Sequence, residues 1–281
     1  MKRYRLICLL LFIAIMRVYL PDATAYDNVP AQISMENQKG FYPYKPAYFG
    51  YTFTSSNKDY VDELKIQFSA KYQIVHDVNL FLAYTQTSFL SIRKASSPFR
   101  EHNFSPELFY QDRDTGYDWL PAIQYGIFRH ESTGEAGNGS YAYDTSYIEP
   151  TFLIGECLYV MPRVWFPSIL QGFSKNKAAS ENIDIFKYYG YGDLTLIHNI
   201  DSFSSHQLKL RYAPIDRSTT YQYQLNISPN SFFSSGQAAK DSVGKFANAY
   251  FFIQWRNGYG YGLKTYNTKT SGFIVGMNLV Y

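Results

Sequence analysis

Residues 63–74 read Glu-Leu-Lys-Ile-Gln-Phe-Ser-Ala-Lys-Tyr-Gln-Ile, and every second side chain is apolar. Leu64, Ile66, Phe68, Ala70, Tyr72 and Ile74 alternate with Glu63, Lys65, Gln67, Ser69, Lys71 and Gln73. Successive side chains of a strand point to opposite faces, so period two with one wholly polar face specifies a half-buried β-strand. The pattern returns at Leu208, Leu210 and Tyr212 against Gln207, Lys209 and Arg211, and at Tyr221, Tyr223, Leu225 and Ile227 against Gln222, Gln224, Asn226 and Ser228. In a soluble sandwich the apolar face is the core, whereas in a transmembrane barrel it faces lipid and the polar face lines the interior. Alternation alone leaves both open.

Two further features favour the barrel. The last strand carries Phe273, Val275, Met277, Leu279 and Tyr281 on one face, and ending on such a strand with a terminal aromatic is typical of outer-membrane barrels. Aromatics make up 19% of the chain, with 28 Tyr and 22 Phe, which suits interfacial girdles. The reading is all-β, a 12-stranded antiparallel transmembrane β-barrel with strands near 46–56, 62–74, 78–90, 101–112, 117–131, 144–158, 160–168, 187–199, 205–214, 218–228, 247–258 and 271–281. Pro150 and Pro167 weaken two of these, because proline cannot donate to a ladder.

Lys2, Arg3 and Arg5 precede an apolar run over residues 6–16, and Ala23-Thr24-Ala25 offers a cleavage site, so residues 1–25 read as an export signal. One domain follows over residues 26–281, with an irregular segment at 26–45 before the first strand. That apolar run is shorter than a spanning helix, and nothing later approaches the roughly 20 apolar residues one needs. Cys8 belongs to the leader and only Cys157 remains, which leaves no partner for an intrachain disulfide in the exported chain. A net charge of +3 gives no reason to expect nucleic acid as a partner.

Chemistry concentrates at Arg129-His130-Glu131-Ser132, followed by a polar glycine-rich run over 133–140 and then Asp144. In a strand, residues i and i+2 share a face, so His130 and Ser132 sit side by side, and a hairpin closed by residues 133–143 brings Asp144 back alongside His130. A base, a hydroxyl and a carboxylate are the parts of a nucleophilic hydrolase. The parity of Asp144 is shared by Ile148, Phe152 and Ile154, which puts it on the lipid side. For His130 the parity test is ambiguous, because Ala122 and Phe128 share it with Gln124 while Ile123 and Ile127 occupy the other face. Taken alone, a His-x-Ser tripeptide is usually a polar hairpin at a rim, and no G-x-S-x-G elbow occurs.

Ser96-Ser97-Pro98-Phe99-Arg100-Glu101 with Asn103 and Pro106-Glu107-Leu108-Phe109, then His130-x-Ser132-x-Gly134, closely resembles the outer membrane phospholipase A family. Tyr42-Pro43-Tyr44, Tyr84-Thr85-Gln86, Lys187-Tyr188, Gly190-Tyr191, Gly258-Tyr259-Gly260 and Tyr266-Asn267 extend the resemblance over nearly the whole chain. It implies a calcium-dependent, homodimeric phospholipase of the Gram-negative outer membrane, with its site at the exoplasmic rim. Such an enzyme hydrolyses acyl esters of phospholipids and lysophospholipids. Ser132 falls at the nucleophile, His130 at the base and Asp144 where family members carry Asn. The Ca²⁺ ligands fall on Ser140 through its hydroxyl and Glu135 through its carbonyl, with the carbonyl of Ser96 supplied by the partner. Gln86 falls at the dimer interface, where a lipid-facing amide without compensation is costly. The competing reading is a catalytically silent barrel, a narrow pore or a structural surface protein. Inward rows such as Glu63, Lys65, Lys71, Lys209 and Arg211 weigh against a pore, because charge pairs fill a twelve-stranded lumen more readily than water does.

Overall fold

The computed structural model describes residues 30, 41–54, 62–75, 78–168, 182, 184–201, 203–229 and 249–279. The leader expected over residues 1–25, most of the 26–45 segment and Tyr281 lie outside them. Thirteen strands form one sheet: β1 (Phe41–Pro43), β2 (Ala47–Thr54), β3 (Glu63–Val75), β4 (Val78–Ser91), β5 (Phe99–Asp112), β6 (Ala122–Ser132), β7 (Ala142–Ile154), β8 (Leu158–Pro167), β9 (Gly192–Asn199), β10 (Ser204–Ala213), β11 (Ser218–Ile227), β12 (Ala249–Gly258) and β13 (Thr270–Leu279). Each strand from β2 onward pairs antiparallel with the next, and β13 returns to β2, Leu279 opposite Ala47 and Phe273 opposite Phe53. The sheet therefore closes with twelve walls. β1 is the broken beginning of β2, pairing with the far end of β3 through Phe41 opposite Tyr72.

Burial along β3 decides between sandwich and barrel. Phe68 is 59% exposed and Ile74 46%, whereas Glu63 is fully buried and Lys71 is 1% exposed. The apolar row lies outside and the charged row inside, the inverse of a water-soluble protein and the arrangement a bilayer requires. The same inversion puts Phe49, Phe53, Phe251, Ile253, Phe273 and Val275 outside. No helix among the described residues is long and apolar enough to cross a membrane.

Inside, polar side chains satisfy one another. Glu107 accepts 3.0 Å hydrogen bonds from the hydroxyls of both Tyr44 and Tyr147, and pairs with Lys45. Glu63 holds Arg100 at 2.7 Å, and Lys209 reaches Asp193 at 2.8 Å. Of the expected inward charges, Lys65, Lys71 and Arg211 also lie over rings, those of Tyr48, Phe89 and Tyr261, of Phe81, and of Tyr189, respectively. A bidentate pair between Arg163 and Glu149, at 2.6 and 3.0 Å, underlies the one place where the β7–β8 ladder lapses. There Ile148 opposes Val164 and Phe152 opposes Val160, so the register sets Pro150 against Pro162 and neither can donate.

The strand expected over 187–199 begins only at Gly192. Residues Ile185–Tyr189 form a helical turn, α1, whose Ile185 and Tyr189 are buried together against Leu263 and Tyr266. Gly190 ends it at φ 64, a conformation that favours glycine, and a Cβ there would strike the Tyr212 carbonyl. β6 starts at Ala122 rather than near 117, because residues 117–120 close a turn through Leu120 N–H to the Tyr117 carbonyl. β7 stops at Ile154, where Gly155 at φ 61 begins the turn to β8.

Candidate active site

β6 carries the chemistry and bends where the chemistry begins. Gly126 opposes Phe109 on β5 while Phe128 opposes Leu108, and on the other side Gly126 opposes Tyr147 while Arg129 opposes Thr145. Ile127 is therefore an extra residue, a β-bulge, whose carbonyl accepts a 2.7 Å bond from the buried Ser146 hydroxyl. The bulge reverses the alternation. Before it Ala122, Gln124 and Gly126 face the lumen; after it Arg129 and Glu131 do, with Arg129 donating to Ser105 and Glu131 at 3.3 and 2.5 Å. His130 and Ser132 are thereby turned to the outer, lipid-facing side.

His130 stands directly opposite Asp144 in the β6–β7 register, and its Nδ1 lies 2.6 Å from Asp144 Oδ1. A carboxylate only accepts, so Nδ1 carries the proton and, in the neutral ring, Nε2 keeps its lone pair. The Asp144 side chain is 11% exposed and that of His130 31%, so the pair is held by protein on one side and open on the other. Phe128, two residues back on the same face, lies parallel to the imidazole at 6.4 Å. Ser132 follows His130 on this face, between Phe104 of β5 and Ala142 of β7. Its hydroxyl makes no hydrogen bond among the described residues, so the two side chains share a face without a Ser132–His130 bond. Catalytic hydrogen bonds commonly tighten only when substrate is bound.

The loop after Ser132 is tied across its base by Thr133, which donates to the Gly139 carbonyl at 2.7 Å and accepts from Tyr141 N–H at 3.1 Å. Gly134 and Gly137 take positive φ, 67 and 65, and a single 3₁₀ turn spans Gly137–Gly139. The Glu135 carbonyl and the Ser140 hydroxyl have no hydrogen-bond partner among the described residues. Neither has the carbonyl of Ser96, which sits at φ 65 in the β4–β5 turn. These three are hard oxygen donors of the kind Ca²⁺ takes. No group of three or more His, Cys, Asp or Glu side chains is arranged for a metal among the described residues, so a cation here would depend on such carbonyls and hydroxyls.

One partner went unseen in the sequence. Lys264, in the β12–β13 loop, reaches both Glu135 carboxylate oxygens at 2.6 and 2.7 Å, while its backbone N–H donates to Glu101 at 2.9 Å. It lies 129 positions away, and no local pattern marks it. Gln86 faces outward as expected, but it is not uncompensated: Tyr84 donates to its Oε1 at 3.0 Å and its Nε2 donates to Ser88 at 3.2 Å. Ser88 in turn is 2.8 Å from His102 Nδ1, so a polar chain runs along the outer wall of β4 and β5 beside the Ser132 row. One amide proton and one lone pair of Gln86 are left over.

The Phospholipase A1 family model matches residues 32–279. A Klebsiella pneumoniae phospholipase A1 is 28% identical over 293 residues, covering 93% of both chains, and that of Escherichia coli K12 is 27% identical over 95% of both. A Neisseria meningitidis relative is 29% identical over 76% of this chain, which spans only 54% of that relative's length. Among solved structures, outer membrane phospholipase A from Escherichia coli superposes with a TM-score of 0.70 at 24% identity, covering 92% of this chain and 98% of that one. The Salmonella typhi outer membrane phospholipase, a dimer with bound calcium, gives the same score and coverage.

Proposed function

The chain belongs to the phospholipase A1 family and takes the barrel fold of outer membrane phospholipase A, and from this and the geometry above we propose that it is a calcium-dependent outer-membrane phospholipase. It acts on acyl esters of phospholipids and lysophospholipids, at positions 1 and 2, and works as a homodimer from the exoplasmic rim. The observation that carries the reading is the 2.6 Å His130–Asp144 contact on the lipid-facing side of the barrel, with Ser132 next on the same face. A water-soluble hydrolase would bury such a pair in a cleft; here it faces the acyl region from which a lipid ester would approach.

Ser132 is the nucleophile and His130 the general base. Nε2 takes the hydroxyl proton as Oγ attacks the ester carbonyl, then returns it to the departing alcohol, and water repeats the sequence to release fatty acid. Asp144 holds the ring with Nε2 toward Ser132 and stabilises the imidazolium formed in each half-reaction. The Ser132 backbone N–H contributes to the oxyanion site. Ser140, Glu135 and Ser96 of a second copy hold Ca²⁺, which when bound supplies electrostatic stabilisation of the developing oxyanion. Gln86 pairs with its copy across the two-fold axis, for which its remaining proton and lone pair suffice. Charge pairs across the lumen, Arg163–Glu149 and Lys45–Glu107 among them, argue against an open pore.

The test is fatty-acid release from phospholipid in mixed micelles by the refolded protein and by Ser132→Ala, with Ca²⁺ and with excess chelator, alongside cross-linking of wild type and Gln86→Ala. Turnover and calcium-promoted dimers in wild type, with turnover lost in Ser132→Ala and under chelation, support the reading. A folded but inactive wild type would leave the silent-barrel alternative.

A further inference from the structure

The lumen holds a cavity of about 310 Å³ whose lining includes seven cationic side chains. Four have a carboxylate: Lys45 pairs with Glu107, Arg129 with Glu131, Arg163 with Glu149 and Lys209 with Asp193. Lys65, Arg211 and Arg256 have none among the described residues. Arg211 Nη2 donates 2.7 Å to the Tyr259 carbonyl, and Arg256 Nη2 donates to that same oxygen. Arg256 Nη1 bonds Thr270 at 2.7 Å, while Arg211 Nε is buried without a partner. Lys65 and Arg256 lie over the same ring, Tyr261, at 5.5 and 5.6 Å from its centroid.

Two guanidiniums converging on one neutral carbonyl, with an ammonium sharing the Tyr261 ring with Arg256, concentrate positive charge in a partly enclosed space. Like charges gathered this closely repel, and the buried Arg256 calls for countercharge. The carbonyl and the rings soften this without neutralising it. We infer that the lumen beside Tyr259 binds a small polyvalent oxyanion of the phosphate or sulfate class, held between Arg211, Arg256 and Lys65. Arginine forks match tetrahedral oxyanions two oxygens at a time, and lysine adds a point charge. Gln222, opposite Arg256 in the β11–β12 register and lining the same cavity, supplies an amide donor. The cavity exceeds the roughly 30 Å³ share of one water several-fold, so the ion enters with some of its hydration. The bound ion pins the Tyr259 end of the β12–β13 loop, whose Lys264 grips Glu135 beside the reaction site. A phosphate on a lipid headgroup has the same chemistry, but its acyl chains cannot follow it into a polar lumen, so the occupant is the free ion.

Calorimetric titration of refolded full-length protein in neutral detergent, at constant ionic strength in chloride, tests this with inorganic phosphate, sulfate and dihexanoyl phosphatidate. One phosphate or sulfate per chain is expected, weakened at least tenfold in Arg211→Gln and in Arg256→Gln, with no competition from the phosphatidate. Heat-modifiable gel mobility checks folding; should Arg256→Gln not fold, Arg211→Gln and the wild-type competition decide. No saturable binding by wild type, equal binding by the variants, or uptake of the lipid phosphate alone would each overturn the inference.

Discussion

Replacing Asp144 by alanine isolates the contribution of the orienting group. Asp144 sits opposite His130 in the ladder, and the change leaves backbone pairing intact while removing the acceptor 2.6 Å from Nδ1. A hydrogen bond involving an ionised partner contributes about 1.5–3 kcal/mol. Each 1.36 kcal/mol of transition-state stabilisation is tenfold in rate, so Asp144→Ala should lower kcat by about 10- to 150-fold with little change in KM. Asp144→Asn keeps a carbonyl acceptor and loses the charge; the difference between a charged and a neutral bond is about 1 kcal/mol, or roughly fivefold. The assay is fatty-acid release from mixed micelles at saturating Ca²⁺, with heat-modifiable mobility confirming a folded barrel. Asparagine as slow as alanine would show that holding the ring in place is not what Asp144 does, and full activity in Asp144→Ala would remove it from the site.

Lys264→Met deletes the ammonium bridging both oxygens of Glu135 and should raise calcium affinity about fivefold, worth about 1 kcal/mol for an exposed charge; titration of the metal-free protein with Ca²⁺ reads this directly, and an unchanged constant would separate Glu135 from the cation site. Gly126 faces the Tyr147 ring, so Gly126→Ala forces that ring aside and disturbs its hydroxyl bond to Glu107. A loss of about 1–3 kcal/mol is expected in chemical unfolding of the refolded barrel. Asp216 lies in the exposed β10–β11 turn; its slight burial favours the neutral acid, but bonds from Ser218, Lys269 and Tyr259 outweigh this and hold its carboxyl below the usual value of 3.8. Its contribution is therefore present above about pH 4 and disappears as pH falls through the lower folded value. Asp216→Asn should cost less than about 1 kcal/mol at pH 7 and nothing near pH 2, as unfolding midpoints at the two pH values would show.

Much of the architecture was legible because a bilayer imposes a pattern on every strand. The alternation over residues 63–74 anticipated β3 to within a residue at each end, and the count of twelve walls followed from similar stretches. His130, Ser132 and Asp144 could be named from spacing and resemblance, and a hairpin of that length does set His130 against Asp144. For α1, Tyr188, Tyr189 and Tyr191 suit strand and helix alike; burial of Ile185 and Tyr189 against Leu263 and Tyr266, and the left-handed Gly190, select the helical turn. The polar partners of Gln86 could be listed from the chain, Tyr84 and Ser88 sharing its face, but only side-chain packing shows them turned toward it.

Local sequence determined which residues form strands and which face of most strands meets lipid, since both depend on side chains two positions apart. Which face His130 takes was beyond it. That depends on the single bulged residue Ile127, visible only when β6 is laid against both β5 and β7 and the two registers are found to slip at the same point. Likewise, the grip of Lys264 on Glu135 arises from closing the sheet into a ring, and the meeting of Arg211 and Arg256 on one carbonyl from the registers of three successive strands, neither of which leaves a periodic trace in the sequence.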